Sequence, residues 1–262
     1  MTKIMDLHCD TISRIRSRRN EGHICGLQDN HFHVDLKRMK EAGYSLQTFA
    51  LFTDAAEEES PFFASMELLD IFREEMKKND DWIRQVITYE DLEKNEAEGK
   101  LSALLSVEDG GVSMGLPDIL EEYRKAGVRL MTLTWNHENV LAYPNKVGGH
   151  PKNGRNNWPD ERGLKQKGFE TLEKMEELGI ILDVSHLSDG GFFDAARVSK
   201  KPFIASHSNA RAVSSHVRNL TDDMIRVIAE RGGLIGLNFC TPFLREGWKP
   251  GSLPAGGTME EM

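Results

Sequence analysis

The segment ILDVSHLSDGGF, residues 181–192, decides the fold. Apolar and β-branched residues surround Asp183, as is typical of a strand that enters a protein core, and the run ends at His186. The segment FIASHSNARAV, residues 203–213, repeats this pattern and places His207 at the same point. Two strands that each end on a histidine predict a site assembled at the carboxyl ends of neighbouring strands.

Short β-rich runs alternate with helical patterns along the chain. Strands are predicted at residues 4–8, 44–52, 101–108, 128–135, 179–186, 202–207 and 233–239. The clearest helices are predicted at residues 35–43, 117–127, 168–179 and 221–233. Such alternation favours parallel pairing with right-handed crossovers. Seven strands before residue 240 predict an α/β fold of the (β/α)8 TIM-barrel type, with residues 1–262 as a single domain.

Composition excludes several classes of partner. The 262 residues carry a net charge of −9, which argues against nucleic acid and against an anionic membrane surface. No apolar run approaches the ~20 residues of a membrane span. Three widely spaced cysteines, Cys9, Cys25 and Cys240, predict reduced thiols in a cytoplasmic protein rather than a disulfide framework.

The polar residues that end the predicted strands are metal ligands by type. They are His8 and Asp10 after the first strand, Glu108 after the third, His186 after the fifth and His207 after the sixth. Imidazole and carboxylate suit zinc or a similar divalent ion. Five ligands exceed what one zinc with an open position needs, so they predict two metals roughly 3.5–4 Å apart. Glu108 falls between the two groups and is predicted to bridge them.

Longer stretches around these residues resemble a known family. They are DLHCDT (6–11), SVEDGG (106–111), AGVRLMTLTWNHEN (126–139), GLKQKGFETLEKMEELGIILDVSHLSD (163–189) and FIASHSNARAVSSHVRNLTDDMI (203–225). In this order they resemble the renal (membrane) dipeptidases, the zinc-dependent enzymes of peptidase family M19. The resemblance runs from residue 4 to about residue 239.

The resemblance implies a dipeptide substrate and two Zn²⁺ ions per chain. His8 and Asp10 would hold one ion, His186 and His207 the other, and Glu108 would bridge them. It also implies that Arg218 binds the free carboxylate of the dipeptide, a role that suits the planar, bidentate guanidinium. A metal-bridging hydroxide would attack the peptide bond, and residues of D configuration are expected to be accepted at the C-terminal position.

The chain departs from the family pattern in two places. The family usually has a histidine after the LT that ends the fourth strand, where it steadies the developing oxyanion. Here Trp135 stands at that place and His137 follows two residues later, so either the His137 imidazole or the Trp135 indole N–H is the substitute. An ordinary loop role for His137 is the alternative. The family also has an eighth strand ending in an Asp, whereas this chain stops at LPAGGTMEEM, so the barrel is expected to lack its last βα unit.

Two other functions are compatible with the same residues. One is a catalytically impaired zinc-binding relic of the family, which Trp135 favours. The other is a different binuclear-zinc amidohydrolase, although those enzymes typically open with HxH where this chain has His8 and Asp10. Barrels of the family tend to pair, so a homodimer is the expected assembly.

Overall fold

The computed structural model describes residues 3–147 and 157–245, and the chain divides into two compact units, residues 1–131 and residues 132–262. The strands of the first unit are β1 (Ile4–Asp6), β2 (Tyr44–Phe52), β3 (Ile83–Gln85), β4 (Leu101–Glu108) and β5 (Val128–Thr132), whose last residue opens the second unit. Its helices are α1 (Thr11–Asn20), α2 (Leu36–Ala42), α3 (Pro61–Lys78), α4 (Tyr89–Ala97) and α5 (Pro117–Ala126), and a 3-10 turn spans Gly110–Ser113.

The strands of the first unit pair in parallel. β2 lies between β1 and β4, while β3 pairs with the start of β4 and β5 with its end. The strands predicted at residues 44–52 and 101–108 are confirmed with the same bounds, because both are long apolar runs that are buried along nearly all of their length. Parallel pairing brings the carboxyl ends of β1 and β4 to the same edge.

The ends of the helices follow local chemistry. The side chain of Asp35 accepts the backbone N–H of Arg38 at 2.9 Å and so caps α2. Gly43 and Gly127 end α2 and α5 with φ of 80° and 96°, which a side chain at either position would oppose. Both helices therefore stop where the sequence predicts.

A buried carboxylate fastens the segment between α1 and α2 to α3. The side chain of Glu75 is fully buried. Its Oε1 accepts a hydrogen bond from Arg19 Nη2 at 2.6 Å, and its Oε2 accepts the backbone N–H of Leu27 at 2.6 Å. Asn79 Nδ2 donates a further bond to Oε2 at 3.2 Å. Charge-assisted bonds of this kind are among the strongest in proteins.

We expect Glu75→Gln to lower the free energy of unfolding by roughly 2–3 kcal/mol, because the amide loses the charge that Arg19 and the Leu27 N–H bind. Urea unfolding followed by circular dichroism measures the change. Lys37→Gln, at an exposed ion pair with Asp29, is the control and is expected to leave the free energy of unfolding nearly unchanged, because solvent screens the pair. Equal effects of the two variants would contradict the structural role of Glu75.

The second unit contains strands β6 (Lys146–Val147), β7 (Asn157–Trp158) and β8 (Ile181–Asp183). Its helices are α6 (Gln166–Leu178), α7 (Asp189–Val198), α8 (Asp222–Glu230) and α9 (Thr241–Leu244). β6 and β7 form an antiparallel pair. The predicted helix at residues 221–233 is shorter in the structure, and the Thr221 side chain caps it by accepting the N–H of Met224 at 3.3 Å.

Strand β8 is shorter than predicted for a local reason. The side chain of Asp183 accepts the backbone N–H of Ser185 at 2.9 Å, which turns the chain directly after the strand. His186 then has a φ of 68°, in the left-handed region that is uncommon for residues other than glycine. The strand therefore ends at Asp183, and His186 follows in a turn.

The strands predicted at residues 202–207 and 233–239 take part only in isolated parallel bridges. Asp183 pairs with Ile204, and Ala205 pairs with Ile235. The expected parallel order is thus present without regular ladders. The segment LPAGGTMEEM, residues 253–262, on which the expectation of a missing last βα unit rests, lies outside the described residues. The single domain over residues 1–262 stays a prediction. Within residues 3–147 and 157–245, the structure has no helix long and apolar enough to cross a membrane.

Candidate metal centre

Three predicted ligands of the first unit come together at the ends of β1 and β4. Glu108 is the last residue of β4 and is 3% exposed. His8 Nε2 lies 3.4 Å from Glu108 Oε2 and 3.5 Å from Asp10 Oδ1. One imidazole nitrogen therefore faces two carboxylates, although β1 ends at Asp6 and neither His8 nor Asp10 lies on the strand.

Asp10 supplies an oxygen that suits a cation. The residue directly precedes α1, yet its side chain does not cap the helix. Its Oδ1 is buried and accepts no hydrogen bond from the residues that the structure describes. A buried carboxylate oxygen without a donor is costly, and a bound cation would satisfy it.

The adjacent cysteine is buried, and burial raises the pKa of the Cys9 thiol to about 12. The predicted ligands of the first unit, His8, Asp10 and Glu108, offer oxygen and nitrogen donors, which suit zinc and similar ions.

The two predicted ligands of the second unit face each other directly. His186 Nε2 and His207 Nε2 are 2.9 Å apart, and each residue is 8% exposed. His186 Nδ1 lies 3.0 Å from Asn136 Oδ1, and His207 Nδ1 lies 2.7 Å from Ser206 Oγ. An amide oxygen only accepts, so the His186 proton is on Nδ1 and its Nε2 presents a lone pair.

This arrangement fits a metal ion. Two imidazoles with their outer nitrogens held by hydrogen bonds point their inner nitrogens at one place, as in metal-ligating histidines with a second layer of partners. The positive φ of His186 supports the same conclusion, since backbone strain of about 1–2 kcal/mol at a non-glycine residue is retained chiefly at functional sites.

The two candidate oxyanion residues lie beside His186. The Trp135 ring centroid is 6.3 Å from that of His186 and 5.6 Å from that of His137. Trp135 and His137 thus lie together next to a predicted ligand.

Arg218 lies in a loop that is fastened from several sides. The residue is 5% exposed, and its guanidinium carbon is 5.7 Å from the centroid of the Phe243 ring. Asp189, at the start of α7, binds Arg211 through two hydrogen bonds of 2.7 and 2.8 Å. Arg211 Nε in turn donates to the carbonyl of Asn219 at 2.9 Å. The neighbours of Arg218 are therefore fixed in place.

A neutral histidine also supports the Arg218 backbone. The N–H of Arg218 donates to His216 Nδ1 at 3.1 Å. Burial lowers the pKa of His216 to about 4, and the nearby charges of Arg218 and Arg211 lower it further in the same direction. His216 is thus uncharged at pH 7 and can accept this bond.

Three polar residues of the second unit contact the histidine pair or its partners, and the strand-end pattern of the sequence does not predict them. Asn136 and Ser206 hold the outer nitrogens of the two histidines, and Asp183 binds Ser206. A signal existed for Asp183, which is an acidic residue inside an apolar strand. Asn136 directly precedes His137, and Ser206 directly precedes His207. No local pattern distinguishes Asn136 or Ser206 from other polar residues.

Strand-end histidines and carboxylates on an α/β scaffold define a protein of the metal-dependent hydrolase class. Residues 1–257 match the model of the membrane dipeptidase family, Peptidase family M19, and the chain belongs to this family. The resemblance drawn from the motifs is therefore confirmed, and membership in a metallopeptidase family implies dependence on a metal.

Individual relatives agree with this assignment. An uncharacterized dipeptidase of Schizosaccharomyces pombe is 31% identical over an alignment of 234 residues. The alignment covers 84% of this chain and 53% of the relative. A metallopeptidase of Rhodobacter sphaeroides, solved with a phosphinate mimic of the dipeptide L-Ala-D-Ala, is 26% identical, with a TM-score of 0.80 over 93% of this chain and 75% of its own. A second solved chain, a metallopeptidase of family M19 named dipeptidase AC, is 28% identical, with a TM-score of 0.80 over 93% and 74% of the two chains.

These likenesses confirm the predicted class of fold as α/β and TIM-barrel-like. The chain spans about half of the yeast relative and about three quarters of the two solved chains.

Proposed function

We propose that this chain is a zinc-dependent dipeptidase. The observation that carries the proposal is the pair His186 and His207, whose Nε2 atoms face each other at 2.9 Å while Asn136 and Ser206 hold their Nδ1 atoms. Membership in the M19 family supports the same function, as do the relatives named dipeptidases.

The proposed site would hold two Zn²⁺ ions with five side chains. His8 and Asp10 would hold one ion, His186 and His207 would hold the other, and Glu108 would be shared by both. The close approach of His8 to Asp10 and Glu108 supports the first half of this set, and the facing imidazoles support the second. The chemistry that such ions supply when bound is a hydroxide nucleophile near neutral pH and polarisation of the scissile carbonyl.

The protein's own residues position the substrate. Arg218 pairs with the free carboxylate of the dipeptide through its planar fork, and the fastened loop around it fixes the distance from this anchor to the reacting bond. Trp135 or His137 donates a hydrogen bond to the oxyanion that develops on the scissile carbonyl. A carboxylate anchor at this distance selects the last peptide bond of a chain, and a requirement for a free amine as well restricts the substrate to a dipeptide.

Acceptance of a D-residue at the C-terminal position is part of the proposal. The Rhodobacter sphaeroides relative was solved with a mimic of L-Ala-D-Ala, which supports this specificity. The proposal also includes a cytoplasmic location, which the free cysteines support. It includes a homodimer as well, because barrels of the family tend to pair.

The proposed function is tested by hydrolysis of a panel of L,L- and L,D-dipeptides. We expect the purified chain to cleave members of the panel, to lose more than about 99% of this activity after chelation, and to regain it with Zn²⁺. Apo protein restored with Mg²⁺ is the control, since Mg²⁺ prefers oxygen ligands to imidazole. Activity that survives complete removal of metal would contradict the proposal.

A zinc-binding relic is the second candidate, and Trp135 at the usual histidine position favours it. The same experiment separates the two functions. A folded chain that binds two equivalents of zinc and cleaves no member of the panel would identify the relic. Restoring the family residue by Trp135→His would then be expected to produce measurable hydrolysis.

A further inference from the structure

A buried carboxylate lies behind the histidine pair. Asp183, the last residue of β8, is 1% exposed. Its Oδ1 accepts the backbone N–H groups of Ser185 and Ser206, each at 2.9 Å. Its Oδ2 accepts the hydroxyl of Thr132 at 3.0 Å and the hydroxyl of Ser206. All four of these donors are neutral groups.

The hydroxyl of Ser206 connects this carboxylate to His207. A hydroxyl has one proton, and an ionised carboxylate can only accept, so Ser206 donates its proton to Asp183. The lone pairs of Ser206 Oγ are then the partner of His207 Nδ1 at 2.7 Å. The imidazole then carries its proton on Nδ1, and its Nε2 lone pair faces that of His186 at 2.9 Å. Two lone pairs at this distance repel each other, and a bound cation would relieve the repulsion.

We infer that Ser206 and Asp183 are the positioning residues that fix the tautomer of His207 and thereby set the affinity of the site for metal. The inference rests on the proposed function, in which His207 Nε2 is a zinc ligand. The chain Asp183–Ser206–His207 places a negative charge behind a neutral imidazole. Such a charge raises the basicity of the ligand nitrogen and holds the ring in one orientation.

The structure offers variants that separate positioning from mere packing. Ser206→Ala removes the acceptor for His207 Nδ1–H together with one bond to Asp183. Thr132→Val also removes one hydroxyl bond to Asp183, which Thr132 Oγ1 donates to Oδ2 at 3.0 Å, and leaves Ser206 in place. Ser206→Thr keeps a hydroxyl on the same backbone position. A role in stability alone predicts similar losses for the first two variants and no special rescue by the third.

Two measurements test the inference. The first is the Zn²⁺ dissociation constant by competition with a chromophoric chelator. We expect it to rise about 10–100-fold in Ser206→Ala, in line with the loss of a partner behind a metal-ligating histidine, and to change less than about threefold in Thr132→Val and Ser206→Thr. Equal weakening in Ser206→Ala and Thr132→Val would overturn the inference.

The second measurement is ¹⁵N NMR of the histidine side chains in the metal-free protein. The wild-type chain and Ser206→Thr should show His207 protonated on Nδ1, while Ser206→Ala should show a mixture of tautomers. A wild-type His207 protonated on Nε2 would overturn the inference. This readout also separates the two proposals. A wild-type chain that binds no zinc but shows the Nδ1–H tautomer would contradict the proposed function and the effect on metal affinity, while the part of the inference that assigns the tautomer to Ser206 would stand.

Discussion

Replacement of Glu108 by glutamine is expected to remove nearly all dipeptidase activity and at least one of the two zinc equivalents. Glu108 is 3% exposed at the end of β4, and its Oε2 lies 3.4 Å from His8 Nε2. Glutamine has the same shape but lacks the charge that a bridging ligand shares between two cations. Replacing a residue that only supports a metal ligand typically costs about 10- to 100-fold in metal affinity or activity. Because Glu108 is itself a predicted ligand, we expect kcat/KM to fall by more than about 100-fold.

The matched control for this variant is Glu75→Gln. Both residues are buried glutamates of the first unit, but Glu75 binds Arg19 and the Leu27 N–H rather than a predicted ligand. We expect Glu75→Gln to lower the free energy of unfolding of the metal-free chain and keep the zinc content. Glu108→Gln should lower the zinc content and change the free energy of unfolding of the metal-free chain less, since bound zinc itself adds to stability. Metal analysis by mass spectrometry and urea unfolding measure the two quantities. A Glu108→Gln chain that keeps two zinc equivalents and an unchanged kcat/KM would contradict the proposed bridging role of Glu108.

Replacement of Arg218 by methionine is expected to abolish the preference for substrates with a free carboxylate. The residue is buried, and its loop is fastened through Arg211 and Asp189. Losing a charged hydrogen-bonding partner in a buried site costs about 2–5 kcal/mol, so kcat/KM for a dipeptide should fall by roughly 30- to 4,000-fold. Most of the loss should appear in KM if the anchor acts equally in the ground state and the transition state.

A comparison of each dipeptide with its C-terminal amide isolates this interaction. The wild-type chain should discriminate strongly against the amide, whereas Arg218→Met should treat the two substrates nearly alike. Arg129→Met is the matched control, because Arg129 is also a buried arginine but donates to the backbone carbonyls of Ile87, Arg124 and Val128. A preference for the free dipeptide that persists in Arg218→Met would show that the carboxylate binds elsewhere.

The sequence predicts those parts of the fold that depend on local patterns. Strands β2 and β4 have their predicted bounds because long apolar runs are buried throughout in a parallel sheet. Helices α2 and α5 end where a glycine at positive φ stops them. By contrast, the acidic run AAEEES at residues 55–60 indicates a helix start, whereas α3 begins directly after it at Pro61.

The prediction of β8 shows where local patterns fail. The apolar run around Asp183 continues toward His186, so a strand to residue 186 was the natural expectation. Its actual end depends on the side chain of Asp183, which binds both the N–H of Ser185 and that of Ser206. Ser206 is distant in the sequence, so the pattern around residue 183 contains no information about that contact.

By itself, the sequence determined the family, the alternation of strands and helices, and the placement of His8, Asp10, Glu108, His186 and His207 after strands. These features depend on residue type and short-range spacing. The tertiary structure alone decided how the histidines of the second unit are aimed and which of their nitrogens carries the proton. That decision depends on Asn136, Asp183 and Ser206, which reach the two imidazoles only after the chain has folded, because hydrogen-bond geometry between distant segments is not encoded in any local pattern.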